Sequence, residues 1–109
     1  MEQPQITQIK AGDGSSFPQK GQTVTAHYHG TLLDGSVFDS SYQRNKPFQF
    51  KLGLGQVIKC WDLTVAGMSI GQKVNVKCPP SIAYGERGAG GVIPPNATLS
   101  FDIELLGYQ

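Results

Sequence analysis

The stretch GQVIKCWDLTV, residues 55–65, sets the organisation of the whole chain. It contains the single Trp, and apolar residues recur in and just beyond it at i, i+3, i+7 and i+10: Ile58, Trp61, Val65 and Met68. This spacing predicts a short helix with one apolar face. Most other segments have the pattern of strands or turns, so that face is expected to cover the apolar face of a sheet. Trp61 then either packs as core or forms the floor of a binding site.

Alternation of apolar and polar residues predicts strands on both sides of this helix. The pattern occurs around Ile6 and Ile9 and over residues 23–32, 48–52, 73–78 and 99–105. Asp34-Gly35 is a tight-turn pair, so residues 36–39 should return antiparallel as a hairpin. Alternation with one apolar face is typical of antiparallel sheets. The predicted fold class is therefore α+β, with about five strands curled over one helix in a single domain, residues 1–109.

Two connections are predicted to be irregular. Residues 40–47 are polar and are expected to form a loop. Residues 79–96 form a much longer connection that carries Tyr84, Val92 and Ile93. A long loop in a compact domain is usually functional, and a purely solvated one would not need apolar side chains.

Charge and hydropathy exclude several classes of protein. The net charge is +1 and the Lys and Arg residues are scattered, which argues against nucleic acid and anionic membranes as partners. No apolar run approaches the roughly 20 residues that span a bilayer. The first residues lack the pattern of a secretory signal, so a cytoplasmic location is expected, with a monomer as the default state.

The two cysteines, Cys60 and Cys78, are too few for a disulfide framework and form no C-x-x-C motif. They are predicted to be reduced thiols that act as small hydrophobes. For Cys60, next to Trp61, two hypotheses stay open: a buried and inert thiol, or a reactive one.

Motifs for covalent or metal chemistry are missing. His27 and His29 fall on the polar face of a predicted strand, and a His-x-His pair without further ligands is a weak metal signal. No nucleophile motif surrounds either Cys or any Ser. Residues 88–91 are glycine-rich but are followed by neither Lys-Ser/Thr nor a helix, so they do not form a phosphate loop. We therefore predict no metal and no cofactor.

Aromatic residues are the strongest remaining feature. Six fall at predicted inward positions or in the long loop: Tyr28, Phe38, Phe48, Trp61, Tyr84 and Phe101. They form either an aromatic core or the walls of a pocket. Buried Tyr and Trp need polar partners, and Asp39 and Arg44 lie near them in sequence. An apolar concavity with a few polar groups is the usual form of a small-ligand site.

The sequence resembles a known family, the FKBP-type immunophilins, which are peptidyl-prolyl isomerases that bind tacrolimus and rapamycin. The similarity runs from about residue 12 to residue 106. It rests on these segments in order: GQTV (21–24), HYxG (27–30), LDG (33–35), FDSS (38–41), RNxPF (44–48), GQVIKxW (55–61), GMSxG (67–71), AYG (83–85), IPPN (93–96) and LxF (99–101).

The resemblance implies a five- to six-stranded antiparallel, twisted half-barrel sheet wrapped around one short α-helix. It also implies an apolar pocket for proline-containing peptides and proteins, or for a macrolide such as tacrolimus or rapamycin. Trp61, Asp39 and Tyr84 would act in catalysis, with Trp61 as the floor. The substrate- and drug-binding residues would be Tyr28, Phe38, Asp39, Arg44, Phe48, Gln56, Val57, Ile58, Trp61, Tyr84, Ile93 and Phe101.

The implied chemistry is non-covalent. Rotation about a peptide bond costs about 18–20 kcal/mol, because amide resonance must be broken. An apolar pocket that removes water from the planar amide would favour the less charge-separated, twisted transition state. The resemblance also implies drug-dependent complexes with calcineurin or TOR kinase.

This chain departs from the usual family pattern at three places. Cys60 replaces a Gly, and Leu63-Thr64 replaces an acidic-glycine pair. Ala89-Gly90 replaces a bulkier residue and Pro at the loop tip where the family's drug complex meets calcineurin, which weakens that implied contact.

Three functional hypotheses follow from the sequence. The first is an active prolyl isomerase with the wall set intact. The second is a binding module that uses the same pocket to dock a partner, with turnover incidental. The third is a structural domain whose aromatic residues only form a core.

Overall fold

The computed structural model describes residues 3–109. Within that range the chain forms six strands, two short α-helices and one 3-10 turn. In chain order these are β1 (Gln5–Lys10), β2 (Thr23–Leu32), β3 (Val37–Ser40), α1 (Ser41–Arg44), β4 (Phe48–Lys51), α2 (Lys59–Val65), β5 (Lys73–Cys78), the 3-10 turn (Pro80–Ile82) and β6 (Leu99–Tyr108).

The strands form one antiparallel sheet that stays open at its edges. Its order is β1-β5-β6-β2-β3, and β4 also pairs with β2. The central pair is β2 and β6, in which Tyr28 lies opposite Ile103 and Ala26 opposite Leu105. β2 pairs with β4 through its first half and with β3 through its second half. The predicted α+β class, an antiparallel sheet around one main helix, is confirmed.

The apolar core lies between the concave face of the sheet and α2. Along β2 the buried residues alternate with half-buried ones, as the sequence pattern predicts. The helix contributes Trp61 and Val65, and Met68 follows just after the helix ends; all three are buried. Each fully buried large aliphatic side chain stabilises the fold by about 1.5–3 kcal/mol. The predicted apolar face of residues 55–65 is thus the contact between helix and sheet.

The segment 40–47 contains helix α1, so the prediction of a loop there is wrong. The side chain of Ser40 accepts a hydrogen bond from the Gln43 N–H at 3.4 Å and caps the start of the helix. Asn45 ends it in the left-handed conformation, at φ 57°. Ser at the first cap and Asn after the last turn are favoured in these places. These caps were the signal for α1, but four residues are too few to show a helical period.

Cys60 and Cys78 form a disulfide, so the prediction of two reduced thiols is wrong. The second residue of α2 packs against the end of β5, and the two Cα atoms lie 5.8 Å apart, within the range that a disulfide can span. Both cysteines are completely buried. This contact arises from helix-on-sheet packing, and nothing in the local spacing of the two residues reveals it.

The two histidines lie on the outer face of β2, as the alternation predicts. The Nδ1 of His27 lies 2.8 Å from the Ser41 hydroxyl, and the Nδ1 of His29 lies 3.0 Å from the Ser40 hydroxyl. Among residues 3–109, no three His, Cys, Asp or Glu side chains are placed to hold one metal ion. No helix in the same range has the length and apolar character needed to cross a membrane.

Candidate functional site

The sheet, α2 and the segments flanking them enclose a cavity of about 230 Å³. Ten residues line it: Tyr28, Phe38, Asp39, Phe48, Gln56, Val57, Ile58, Trp61, Tyr84 and Phe101. All ten belong to the site set predicted from the resemblance. Arg44 and Ile93, the other two residues of that set, do not line the cavity.

Trp61 forms the floor of this cavity, with 4% of its surface exposed. Four other rings meet it edge-on: the centroids of Tyr28, Phe101, Phe50 and Phe48 lie 4.9, 5.3, 5.9 and 6.0 Å from that of Trp61. Edge-to-face contacts of this kind add about 0.5–1.5 kcal/mol each beyond area burial. Of the side chains described here, none accepts a hydrogen bond from the buried indole N–H. The floor is therefore held in place from several sides, and its indole N–H is left as a buried donor without a partner among residues 3–109.

The walls come from inward positions of four strands. Tyr28 lies on β2, Phe38 on β3, Phe48 on β4 and Phe101 on β6. The rings of Phe38 and Phe101 meet at 5.5 Å and 85°. A period of two along each strand places these rings on the same side of the sheet. The fold thus gathers into one concavity residues that lie far apart in sequence.

The polar edge of the cavity is a cluster of Asp39, Tyr28 and Arg44. The Tyr28 hydroxyl donates to one carboxylate oxygen of Asp39, and the Arg44 guanidinium pairs with the other. Arg44 also donates to the Tyr28 hydroxyl, at 2.9 Å. Arg44 is the last residue of α1, so the helix that sequence reasoning missed carries the cation of this cluster.

The cluster shifts the pKa values of Asp39 and Tyr28 in opposite directions. Burial acts to raise the pKa of Asp39, but hydrogen bonds from Tyr28 and Arg44 and the positive charge of Arg44 outweigh it, so the pKa is lowered below 3.8. Burial and the hydrogen bond to Asp39 raise the pKa of Tyr28 above 10.0. Near neutral pH the cluster therefore holds one carboxylate anion and one neutral phenol.

A clamp from α2 fixes the entrance segment that precedes the helix. The Asp62 carboxylate accepts hydrogen bonds from the Gly53 N–H at 2.9 Å and the Gly55 N–H at 3.3 Å. The side chain of Gln56 accepts one from the Lys51 N–H at 2.8 Å. Both glycines have positive φ, which favours Gly. Asp62 was not among the predicted site residues, because its carboxylate acts on backbone groups that only the folded loop brings near.

The long connection 79–96 supplies one pocket residue, Tyr84, which is 41% exposed. Gly85 ties this loop together, because its N–H donates to the Pro80 carbonyl and its carbonyl accepts from the Asn96 N–H, both at 2.9 Å. Ile93 pairs with Ala89 in a short bridge and is buried, 6% exposed, in the core. Ile93 thus supports the loop rather than the cavity surface.

The arrangement is suited to binding rather than to covalent chemistry. It combines an aromatic floor and walls with one ionised carboxylate and two phenolic hydroxyls at the edge. Such a site can remove water from an apolar ring while leaving a few polar contacts at the rim.

The chain resembles known proteins over nearly its whole length. The family model described as FKBP-type peptidyl-prolyl cis-trans isomerase matches residues 14–106. The chain is 58% identical over 105 residues to the peptidyl-prolyl cis-trans isomerase Fkbp12 of Drosophila melanogaster, covering 96% of this chain and 97% of that protein. It is 58% identical over 101 residues to FK506-binding protein 1 of Rhizopus delemar, covering 93% and 94%.

The likeness extends to a vertebrate relative and to a solved structure. The chain is 55% identical over 105 residues to the peptidyl-prolyl cis-trans isomerase FKBP1A of Xenopus laevis, covering 96% of this chain and 97% of that protein. The crystal structure of AtFKBP13 superposes with a TM-score of 0.91 at 42% identity, covering 97% of this chain and 93% of that chain. Family and fold likeness thus cover nearly the whole sequence.

Proposed function

The chain belongs to the FKBP-type peptidyl-prolyl cis-trans isomerase family, and on that premise we propose how its cavity catalyses the rotation of X-Pro peptide bonds. The pyrrolidine ring of the substrate packs on Trp61, and the amide before it lies among the aromatic walls. The observation that carries this proposal is the nearly buried Trp61 ring, enclosed edge-on by Tyr28, Phe48 and Phe101. A saturated five-membered ring needs a flat apolar floor of this kind.

The proposed rate enhancement comes from desolvation. The planar amide is more charge-separated than the twisted one, so water stabilises the planar ground state more. Placing the amide in an apolar cavity removes that water and lowers the barrier, which is about 18–20 kcal/mol for free rotation. The uncatalysed reaction takes tens to hundreds of seconds, so even a modest lowering is measurable. No covalent bond is made or broken.

Polar groups of the rim hold the twisted amide. We assign the Tyr84 hydroxyl, the Ile58 N–H and the Gln56 carbonyl to hydrogen bonds with the substrate backbone. Asp39 supplies a fixed negative charge, which Tyr28 and Arg44 hold in one orientation. A preorganised charge of this kind acts on the transition state without further rearrangement.

Asp39→Asn tests the electrostatic part of this mechanism. We expect kcat/KM on a Leu-Pro peptide to fall about fivefold, equivalent to about 1 kcal/mol for a charge at a partly exposed site. In the parent chain kcat/KM should be flat between about pH 5 and pH 9, because the pKa of Asp39 lies below 3.8 and that of Tyr28 above 10.0. A protease-coupled isomerisation assay over that range measures both.

The Asp39 ion pair also contributes to the stability of the folded chain, and the pH dependence of that contribution follows from the lowered pKa of Asp39. The stability that its ion pair contributes is present above pH 3.8, the unfolded value, and is lost as the pH falls through the lower folded value. The control for the activity of Asp39→Asn is Asp34→Asn, at an exposed turn that does not line the cavity. An Asp39→Asn chain as active as the Asp34→Asn chain would remove Asp39 from the mechanism.

We also propose that tacrolimus and rapamycin bind in this cavity and compete with peptide. Trp61 is the single Trp of the chain, so its fluorescence reports directly on occupancy of the floor. Tacrolimus should change that emission and inhibit isomerisation over the same concentration range. An unchanged emission together with undiminished activity at micromolar drug would contradict the proposal.

We propose a cytoplasmic monomer that acts on proline-containing proteins during folding, and drug-dependent complexes with calcineurin or TOR kinase. The loop tip affects how those complexes form, because Ala89-Gly90 presents only small side chains to a partner. Co-precipitation of calcineurin and of TOR kinase with the chain, each with and without drug, tests whether the complexes form.

A further inference from the structure

The Cys60–Cys78 disulfide begins one residue before the pocket floor, Trp61. Cys60 immediately precedes Trp61 in α2, and Cys78 is the last residue of β5. β5 leads through Pro79 and the 3-10 turn into the loop that carries Tyr84. The bond therefore joins the helix that supplies the floor to the strand that leads to one of the walls.

The first turn of helix α2 has no side-chain cap, and among its side chains Asp62 ties it to the preceding segment. The helix has seven residues, and Ile58 at its N-cap makes no side-chain capping hydrogen bond. Helices shorter than about 12–15 residues are marginal without tertiary support. Cys60 is the second residue of this helix, so the covalent link acts within the turn that lacks a side-chain cap. The orientation of Trp61 in the next position depends on that turn.

We propose that the Cys60–Cys78 pair is a reversible redox site whose reduction by a dithiol weakens binding of X-Pro peptides at the Trp61 floor. This inference rests on the proposed function of the cavity. In the reduced chain the two thiols remain small apolar groups inside the core, so the sheet is kept. Reduction makes the first turn of α2 more mobile, and the peptide then packs less well on the Trp61 ring. In a cytoplasmic setting, disulfides are usually transient and redox-responsive rather than permanent.

The exchange is balanced by a dithiol reductant. Its thiolate attacks one sulfur of the pair, the S–S bond breaks, and the released Cys thiolate takes up a proton. The second thiol of the reductant then attacks the mixed disulfide and releases the other Cys as a thiol. The chain gains two electrons and two protons, and the reductant becomes a cyclic disulfide. A disulfide oxidant reverses the sequence.

The burial of the two cysteines makes their reduction depend on the same helix, α2, that carries the pocket floor. Both cysteines are completely buried, so a reductant reaches them only when α2 opens locally. A peptide bound on Trp61 holds the helix closed and should slow reduction. At equilibrium the coupling is reciprocal: if the oxidised chain binds peptide more tightly, bound peptide favours the disulfide over the two thiols by the same factor.

The test compares the oxidised full chain with the chain reduced by dithiothreitol. Thiol titration in denaturant should count no thiols before reduction and two after it, since the sequence holds two cysteines. On a Leu-Pro peptide we expect kcat/KM to be about fivefold lower in the reduced chain, mainly through KM. A saturating concentration of the same peptide should slow reduction several-fold. The control is the double variant Cys60→Ala with Cys78→Ala, which should resemble the reduced chain and ignore dithiothreitol.

Each other outcome overturns the inference. Equal kcat/KM in the two redox states, at confirmed thiol counts, would show that the bond does not act on the site. Unfolding of the reduced chain, monitored by circular dichroism, would make the bond a permanent staple. A response to dithiothreitol in the double variant would trace the effect to something else. Loss of isomerisation in both states would instead overturn the proposed function, and this inference with it.

Discussion

Trp61→Ala will both destabilise the chain and remove most of its isomerase activity. The side chain is 4% exposed and meets several rings, so truncation leaves a large cavity. Trp→Ala changes in cores cost about 3–5 kcal/mol, a large part of the roughly 5–15 kcal/mol that holds a domain together. The pyrrolidine ring also loses about 2 kcal/mol of apolar contact, so kcat/KM should fall about thirtyfold. Urea unfolding and the coupled assay measure the two effects separately.

Leu105→Ala is the matched control for this truncation. Leu105 is completely buried on β6 but does not line the cavity. It should lose about 2–5 kcal/mol of stability, while the folded protein keeps its kcat/KM. If the two variants lost activity in proportion to stability alone, Trp61 would be core and not the floor of a site. That result would favour the hypothesis of a structural aromatic domain.

Gly30→Ala will narrow the cavity by pushing wall rings into it. A Cβ atom at Gly30 would lie 2.7 Å from Cζ of Phe38 and 2.9 Å from Cε1 of Phe101. The two contacts are too close for the rings to stay in place. Because Phe101 is buried and Phe38 is half-buried, most of the shift should fall on Phe38. Overpacking of this kind costs about 1–3 kcal/mol. We expect KM to rise about tenfold, equivalent to about 1.4 kcal/mol of lost binding.

Gly107→Ala separates the steric effect from the intrinsic effect of replacing a strand glycine. Nothing lies within 4 Å of a Cβ at Gly107, which lies in β6, the strand paired with the β2 strand of Gly30. There the added methyl should stabilise the chain by about 0.4–1 kcal/mol, through the unfolded state, and leave KM unchanged. Opposite signs for the two substitutions would confirm that Gly30 makes room for the two wall rings. Equal effects would contradict it.

Much of the fold could be predicted because it rests on short-range periodicity. The alternation along 23–32 and 99–105 determines which side of each strand is buried, since successive side chains point to opposite faces. Burial along β2 and β6 follows that pattern. The ten cavity residues were predicted through ordered motifs, each of which lies within a few neighbouring positions.

The features that were missed depend on contacts between distant segments. Asp62 binds two backbone N–H groups that become neighbours only when the loop folds over α2. The pairing of Arg44 with Asp39 was predicted, but the one-turn helix α1 that brings Arg44 to the rim was not. A four-residue helix has caps but no period, so only its end signals exist in the sequence.

Residues 55–65 contain both a feature that the local sequence determines and one that only the tertiary structure decides. Their spacing by itself determined a short helix whose apolar face carries Trp61 onto the sheet, because helical periodicity is local. Only the tertiary structure decided that Cys60 bonds to Cys78. Two cysteines that are 18 positions apart carry no local sign of pairing, and their Cα atoms come within bonding range only when the second residue of α2 packs on the end of β5.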